Sequence, residues 1–216
     1  MAVNPGFNFS NVVPDAMADV PFPPDSLWKN DRSFTKEHTI VLAPSGSGKT
    51  SLMAFMYGMR HDFTGTISYD GKNITQQSLK WWSHMRQKSL GAIFQDLRLV
   101  PHLTVGQNLI LKNNLTNHKS IDEIKAMLAH LGMIEKWNQT CGTLSYGQQQ
   151  RVCIVRALLQ PLDFLLADEP FSHIDDANIE KARQLILEEC ERQNAAFIMF
   201  SLGYDYGIRF NYRYNL

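Results

Sequence analysis

Neither sign of charge is in excess. Twenty-one Lys and Arg face twenty-one Asp and Glu, for a formal net charge of zero with His neutral. No overall field therefore draws the chain to nucleic acid or to an anionic bilayer. Cysteine is scarce as well. Cys141, Cys153 and Cys190 are widely spaced, show no metal-ligand pattern, and as an odd count fit a reducing cytosol better than a disulfide framework. No apolar run approaches the roughly 18 residues that a membrane-spanning helix needs. The start, Met1-Ala2-Val3-Asn4-Pro5, lacks the basic and apolar regions of a secretory leader, which predicts a soluble, cytosolic protein. Internal repeats and low-complexity tracts are missing too. What remains is 216 residues, 44% of them hydrophobic, enough for one large domain or for a core with an inserted subdomain.

Proline and glycine punctuate what is there. Pro5, Pro14, Pro21, Pro23 and Pro24 mark residues 1–25 as a loop-rich lead-in with at most one edge strand, around Phe7 to Val13. Thr39-Ile40-Val41-Leu42 is an apolar run feeding into glycines, a buried strand before a turn. Ser51 to Met59 reads as a helix with Leu52, Phe55 and Met56 on one face. Gly65 to Lys72 alternates and ends in Asp70-Gly71, a hairpin signal. Residues 76–156 are mostly helical, broken at Pro101 and at Gly142 to Gly147, with Ile121, Ile124, Met127, Leu128 and Leu131 on one helical face. Strands return at Phe164 to Ala167 and at Ala196 to Phe200. The fold class expected is therefore α/β, with a core over about 26–75 and 157–216 and a helical insertion over about 76–156.

Two motifs carry chemistry. Ala43-Pro44-Ser45-Gly46-Ser47-Gly48-Lys49-Thr50 runs from a strand through a glycine turn into a helix, the context that a phosphate-binding loop requires. Backbone N–H groups across Ser45, Gly46, Ser47 and Gly48, with Lys49, Thr50 and Ser51 opening the helix, can converge on phosphate oxygens. Lys49 would reach the β- and γ-phosphates, and the Thr50 hydroxyl would ligate Mg²⁺. The loop departs from the usual pattern at Ala43, where glycine is expected. Downstream, Phe164-Leu165-Leu166-Ala167-Asp168-Glu169 is an apolar run ending in two acids, at the strand end where open α/β sheets bind ligands. The blander alternatives are an accidental Ser/Gly turn and a solvated acid pair before Pro170.

With Leu144-Ser145-Tyr146-Gly147-Gln148 between them, the order of phosphate loop, signature turn and acidic strand end resembles the ATP-binding cassette (ABC) ATPases. That resemblance implies a P-loop NTPase (RecA-like) core with ABC-type antiparallel β elements, an inserted helical subdomain, and ATP with Mg²⁺ as ligands. It makes Asp168 a metal-holding acid, acting through water, and Glu169 the general base. Gly91 to Asp96 resembles the Gln loop, in which Gln95 contacts Mg²⁺ or the attacking water. Ser145 and Gly147 resemble the residues that touch the γ-phosphate held by a second cassette, and Gln148 opens the helix whose positive end faces that nucleotide. Ser145 also reads simply as a helix N-cap. Ser172-His173-Ile174-Asp175 resembles the D-loop, which crosses the dimer interface.

The same resemblance implies partners. A second cassette, identical or different, would complete each site. A transmembrane permease would dock near Leu97 to Gln107, holding the chain at the inner face of the cell membrane from the cytoplasm. Leu97, Leu99, Val100, Leu103 and Val105 read equally as that docking groove or as subdomain core. Met85-Arg86 and Leu90-Gly91 look most like cassettes of lipoprotein release, macrolide export and cell division. Phe22 or Trp28 is the candidate for stacking on adenine, and Trp81 and Trp82 read as packing. Cassettes usually carry a His after the last core strand; Leu202 stands there, which predicts weak or partner-dependent hydrolysis. Three readings follow: a transporter ATPase, a non-transport cassette of DNA repair or translation, and a degenerate cassette that binds ATP as a switch. Ninety-six positions separate Lys49 from Ser145, too few for a long coiled-coil insertion.

Overall fold

A computed structural model describes residues 6–216; the reading of Met1 to Pro5 lies outside them. Strand chemistry sorts the chain into two sheets. Phe7–Pro14 (β1) buries Phe7, Phe9 and Val12 while Ser10 and Asn11 face water. The alternation slips at Asn11, where φ is +50° and the register with the neighbouring strand shifts, a β-bulge. Arg32–Phe34 (β2) flanks β1 on one side, and Phe63–Tyr69 (β4) flanks it on the other, followed by Lys72–Asn73 (β5) across the Asp70-Gly71 turn. The hairpin is as expected. The edge position is not: β1 is an interior strand, because Pro14 is its last residue and the other lead-in prolines lie outside it.

The second sheet comprises Thr39–Leu42 (β3), Leu90–Ile93 (β6), Phe164–Asp168 (β7), Ala196–Ser201 (β8) and Tyr212–Asn215 (β9). It is parallel throughout, in the order β6-β7-β8-β3-β9. Every residue of β7 and β8 is buried, the pattern of strands covered on both faces. Their period of two divides the core. Phe164, Leu166, Ile198 and Phe200 join an aromatic cluster with β1 and the helix Lys49–Met56 (α1). Leu165, Ala167, Phe197 and Met199 join the cluster on the other face, beneath the long helix Asp176–Arg192 (α6) and the three helices inserted before it. Each of these Leu, Ile, Phe and Met side chains contributes about 1.5–3 kcal/mol on burial.

The helical block expected over 76–156 begins later than the sequence suggests. Within it, Leu79–Lys88 (α2) buries Trp82 and Met85 in the aromatic cluster, and β6 is the edge strand of the parallel sheet. A four-residue strand directly after a helix is too short to show a period of its own. Three helices then form the insertion: Val105–Asn113 (α3), Ile121–His130 (α4) and Tyr146–Ala157 (α5). Each opens on a capping box, Thr104/Gln107, Ser120/Glu123 and Ser145/Gln148. The buried ammonium of Lys119 lies 2.8 Å from Glu189 on α6, joining the insertion to the core. No helix among the described residues is long and apolar enough to cross a membrane.

Candidate functional site

The phosphate loop leaves β3 at its carboxyl end and turns on two left-handed glycines, Gly46 at φ +82° and Gly48 at φ +97°. Ala43 is not among the residues with positive φ; it is 2% exposed, and its N–H donates to the Ser201 carbonyl. Alanine therefore fits where the pattern has glycine. Trp28 is fully buried beneath the loop. Its Nε1–H donates to the Ser47 carbonyl at 3.0 Å, and a Cβ on Gly48 would stand 3.1 Å from its ring. Trp28 thus braces the loop from below and has no free face for an adenine, which removes it as the stacking candidate. Phe22, the other candidate, is half-buried with the Lys29 ammonium 5.3 Å from its ring centre.

Four polar side chains meet at the loop, Lys49, Thr50, Asp168 and Glu169. The Thr50 hydroxyl donates to Asp168 Oδ2 at 3.0 Å, joining residues 118 positions apart. The Lys49 ammonium donates to the Ala43 carbonyl at 3.3 Å and stands 3.5 Å from Glu169 Oε1, in ion-pair range but outside hydrogen-bond geometry. Burial raises the pKa of Asp168, opposed by the Thr50 bond and the Lys49 charge. Burial likewise raises that of Glu169, opposed by the Lys49 charge. Among the described residues, Asp168 Oδ1 and Glu169 Oε1 are buried without a hydrogen-bond partner. A buried carboxylate oxygen with nothing to accept from is costly. Beside a hydroxyl and a phosphate loop, it suits a hard cation or its water. No cluster of three His, Cys, Asp or Glu occurs among the described residues. Mg²⁺ does not need one, since it takes one or two protein ligands and completes its shell with phosphate and water.

Glu169 sits in a strained conformation, φ +49°, that costs about 1–3 kcal/mol and persists only where surroundings over-determine it. Its N–H donates to the Phe200 carbonyl at 3.0 Å. Its carbonyl accepts from Gln150 Nε2 at 2.9 Å and from Ser172 Oγ at 3.1 Å. Gln150, 2% exposed, also accepts from the His173 N–H at 3.0 Å, so one amide aligns the acid and the loop after it. Sequence reading missed Gln150 because it sits inside a run of three glutamines; helical phase is the signal that separates its buried face from the others.

A pocket of about 330 Å³ is lined by Ser45, Gly46, Gly48, Lys49, Thr50, Ser51, Gln95, Glu169 and Leu202. Ser47 lies beside them in the loop, its hydroxyl donating to the Pro44 carbonyl at 2.8 Å. Ser145, Gly147 and Gln148 do not line this pocket. They cap α5: Gln148 N–H donates to Ser145 Oγ, and Gln148 Oε1 accepts from Ser145 N–H at 3.0 Å. Gly147 lies against the loop of residues 172–175; a Cβ there would meet the His173 carbonyl oxygen at 2.3 Å. Leu202, 55% exposed, presents an apolar side chain to the phosphate pocket.

A second cleft of about 350 Å³ lies between the core and the insertion. Tyr57, Phe94, Val100, Leu111 and Leu115 line it, with Arg98, Lys112 and Arg156. Burial and the neighbouring Arg156 push Lys112 down to about 8. Leu97 and Val105 are buried in the core and Leu99 packs on it, so of that apolar stretch Val100 reaches the cleft.

Residues 33–172 match the family model described as ABC transporter. The chain is 32% identical over 162 residues to an uncharacterized ABC transporter ATP-binding protein of Mycobacterium tuberculosis, covering 74% of this chain and 49% of that protein. The chain thus spans about half the length of that relative. It is 32% identical over 168 residues to a putative hemin import ATP-binding protein of Staphylococcus epidermidis, covering 76% of this chain and 75% of that one. With a lipoprotein-releasing system ATP-binding protein of Bacteroides thetaiotaomicron it shares 29% identity, covering 74% of each chain. The fold matches a dimeric ATP-binding cassette solved in a post-hydrolysis state with ADP and Pi, at a TM-score of 0.76, 23% identity, and coverage of 91% of this chain and 88% of that one.

Proposed function

The chain belongs to the ABC transporter family, and on that premise we propose that it binds and hydrolyses ATP to power a membrane permease, working as a dimer that sandwiches ATP between two cassettes. In this reading the N–H groups of the phosphate loop hold the β- and γ-phosphates, and Lys49 turns onto them from Ala43 and Glu169. Thr50, Asp168 and Gln95 are the residues that suit Mg²⁺, which when bound neutralises charge on the β- and γ-oxygens. Glu169 accepts the proton of the attacking water as the bond to the γ-phosphorus forms and the bond to ADP breaks. A raised pKa brings this acid nearer neutrality, where a general base is most effective. Ser145, Gly147 and Gln148 serve the partner's nucleotide, since they stand apart from this chain's own pocket.

The observation that carries the reading is the pair of orphaned carboxylate oxygens beside Lys49 and Thr50. Its test is Glu169→Gln. ATP binding is retained, hydrolysis falls by at least a hundredfold, and ATP drives stable dimers; a variant that still turns over overturns it. Permease docking in the Tyr57–Lys112 cleft, with the chain cytoplasmic on the inner membrane face, completes the reading. A second reading, a cassette that binds ATP as a switch and barely hydrolyses it, is favoured by Leu202, whose side chain offers the pocket neither charge nor a hydrogen bond.

A further inference from the structure

Tyr146 of the signature turn and His173 of the loop of residues 172–175 touch each other. Their rings meet edge-on with centroids 4.3 Å apart. The Tyr146 hydroxyl then reaches across 51 positions and donates to the Gln95 carbonyl at 2.7 Å. Gln95 is exposed at the mouth of the phosphate pocket and also lines an adjoining pocket with Thr50, Asp168 and Tyr146. The chain just after it is strained, with Leu97 at φ +57° and Arg98 at φ +53°, consecutive left-handed residues that are not glycine. The other end of α5 holds that segment. Arg156 donates to the carbonyls of Leu97 and Arg98, and the Cys153 thiol to that of Leu97. One helix thus grips three carbonyls of the Gln95–Arg98 loop, and Tyr146 is the grip nearest the pocket.

We propose that Tyr146 is a positioning residue for the hydrolysis proposed above: its hydroxyl fixes Gln95 to the signature helix, so that the turn serving the partner's nucleotide sets the orientation of the side chain serving this chain's own. The inference rests on that proposed function, yet the clamp itself can be measured without turnover.

Tyr146→Phe removes the hydroxyl and keeps the ring against His173. In the full-length protein without nucleotide, amides of residues 94–98 are expected to exchange with solvent faster in the variant, with thermal stability unchanged. In ATPase assays kcat is expected to fall about three- to tenfold, the size of one lost hydrogen bond, at unchanged KM. Tyr146→Gly, which also removes the ring, should do the same or more. Unchanged exchange at 94–98 overturns the clamp whatever the ATPase result. Faster exchange with unchanged kcat overturns the positioning role. A wild-type protein that binds ATP but does not hydrolyse it counts against the proposed function, and the clamp is then judged by exchange alone.

Discussion

Asp168, bonded to Thr50 at the edge of the phosphate pocket, and Leu202, in its lining, each lend themselves to a single-residue test. Burial raises the Asp168 pKa, so the folded chain holds that proton more tightly than the unfolded chain does. Stability from this group is greatest below the unfolded carboxylate pKa, declines as pH rises toward the folded value, and stays reduced at neutral pH. Asp168→Asn is therefore expected to raise the melting temperature of the nucleotide-free protein at pH 7 and to flatten its dependence on pH above 4. The same change should abolish any additional stabilisation by Mg²⁺ over ATP alone; thermal melts across pH, with and without the metal, check both. Leu202 gives the opposite kind of test. A preorganised donor is worth roughly 10²–10³ in rate, so Leu202→His is expected to raise kcat by at least tenfold in steady-state assays. Unaltered turnover there would remove the residue from the account of hydrolysis.

At the level of elements, Gly58 shows how a helix end is decided by what lies beside it. The reading of Ser51 to Met59 overran because Met59 continues the helical spacing of Leu52, Phe55 and Met56 past Gly58, whereas α1 stops at Met56. Gly58 turns at φ +68°, and a Cβ on it would stand 2.3 Å from the Trp82 ring. Gly58→Ala is expected to cost about 1–3 kcal/mol, from left-handed strain and overpacking together, read in urea unfolding. Of the strands that sequence made legible, which include β1 and the β4–β5 hairpin, β3, β7 and β8 are apolar runs bounded by turns. Those it missed, β2, β6 and β9, are short, and β2 and β9 are polar, so only their partners reveal them. The phosphate loop and the two acids were legible because chemistry requires those residues at that spacing. Trp28 and Gln150 were not, because their roles come from contacts 19 positions away in both cases, Trp28 with Ser47 and Gln150 with Glu169.

The whole molecule presents an apolar cleft rimmed by Arg98, Lys112 and Arg156 on the side where the insertion meets the core. Lys112→Glu is expected to weaken co-purification with a membrane permease while leaving the chain's own ATP binding unchanged, as measured by nucleotide titration of the purified protein. The insertion that forms one wall of this cleft is joined to α6 by a buried charge pair, Lys119 with Glu189, the latter also held by Arg192 and Gln193. Glu189 lies near the end of α6, and the loop of residues 172–175 lies at its start, roughly 20 Å away by helical rise. Asn178, at the other end of the same helix, accepts from Arg151 of α5. Bonds at both ends make α6 a splint. A rotation of the insertion about Lys119 alone would have to break the Arg151 bond and the Gln150–Glu169 bond, so movement of the Ser145–Gln148 turn would carry α6 and the acid loop with it.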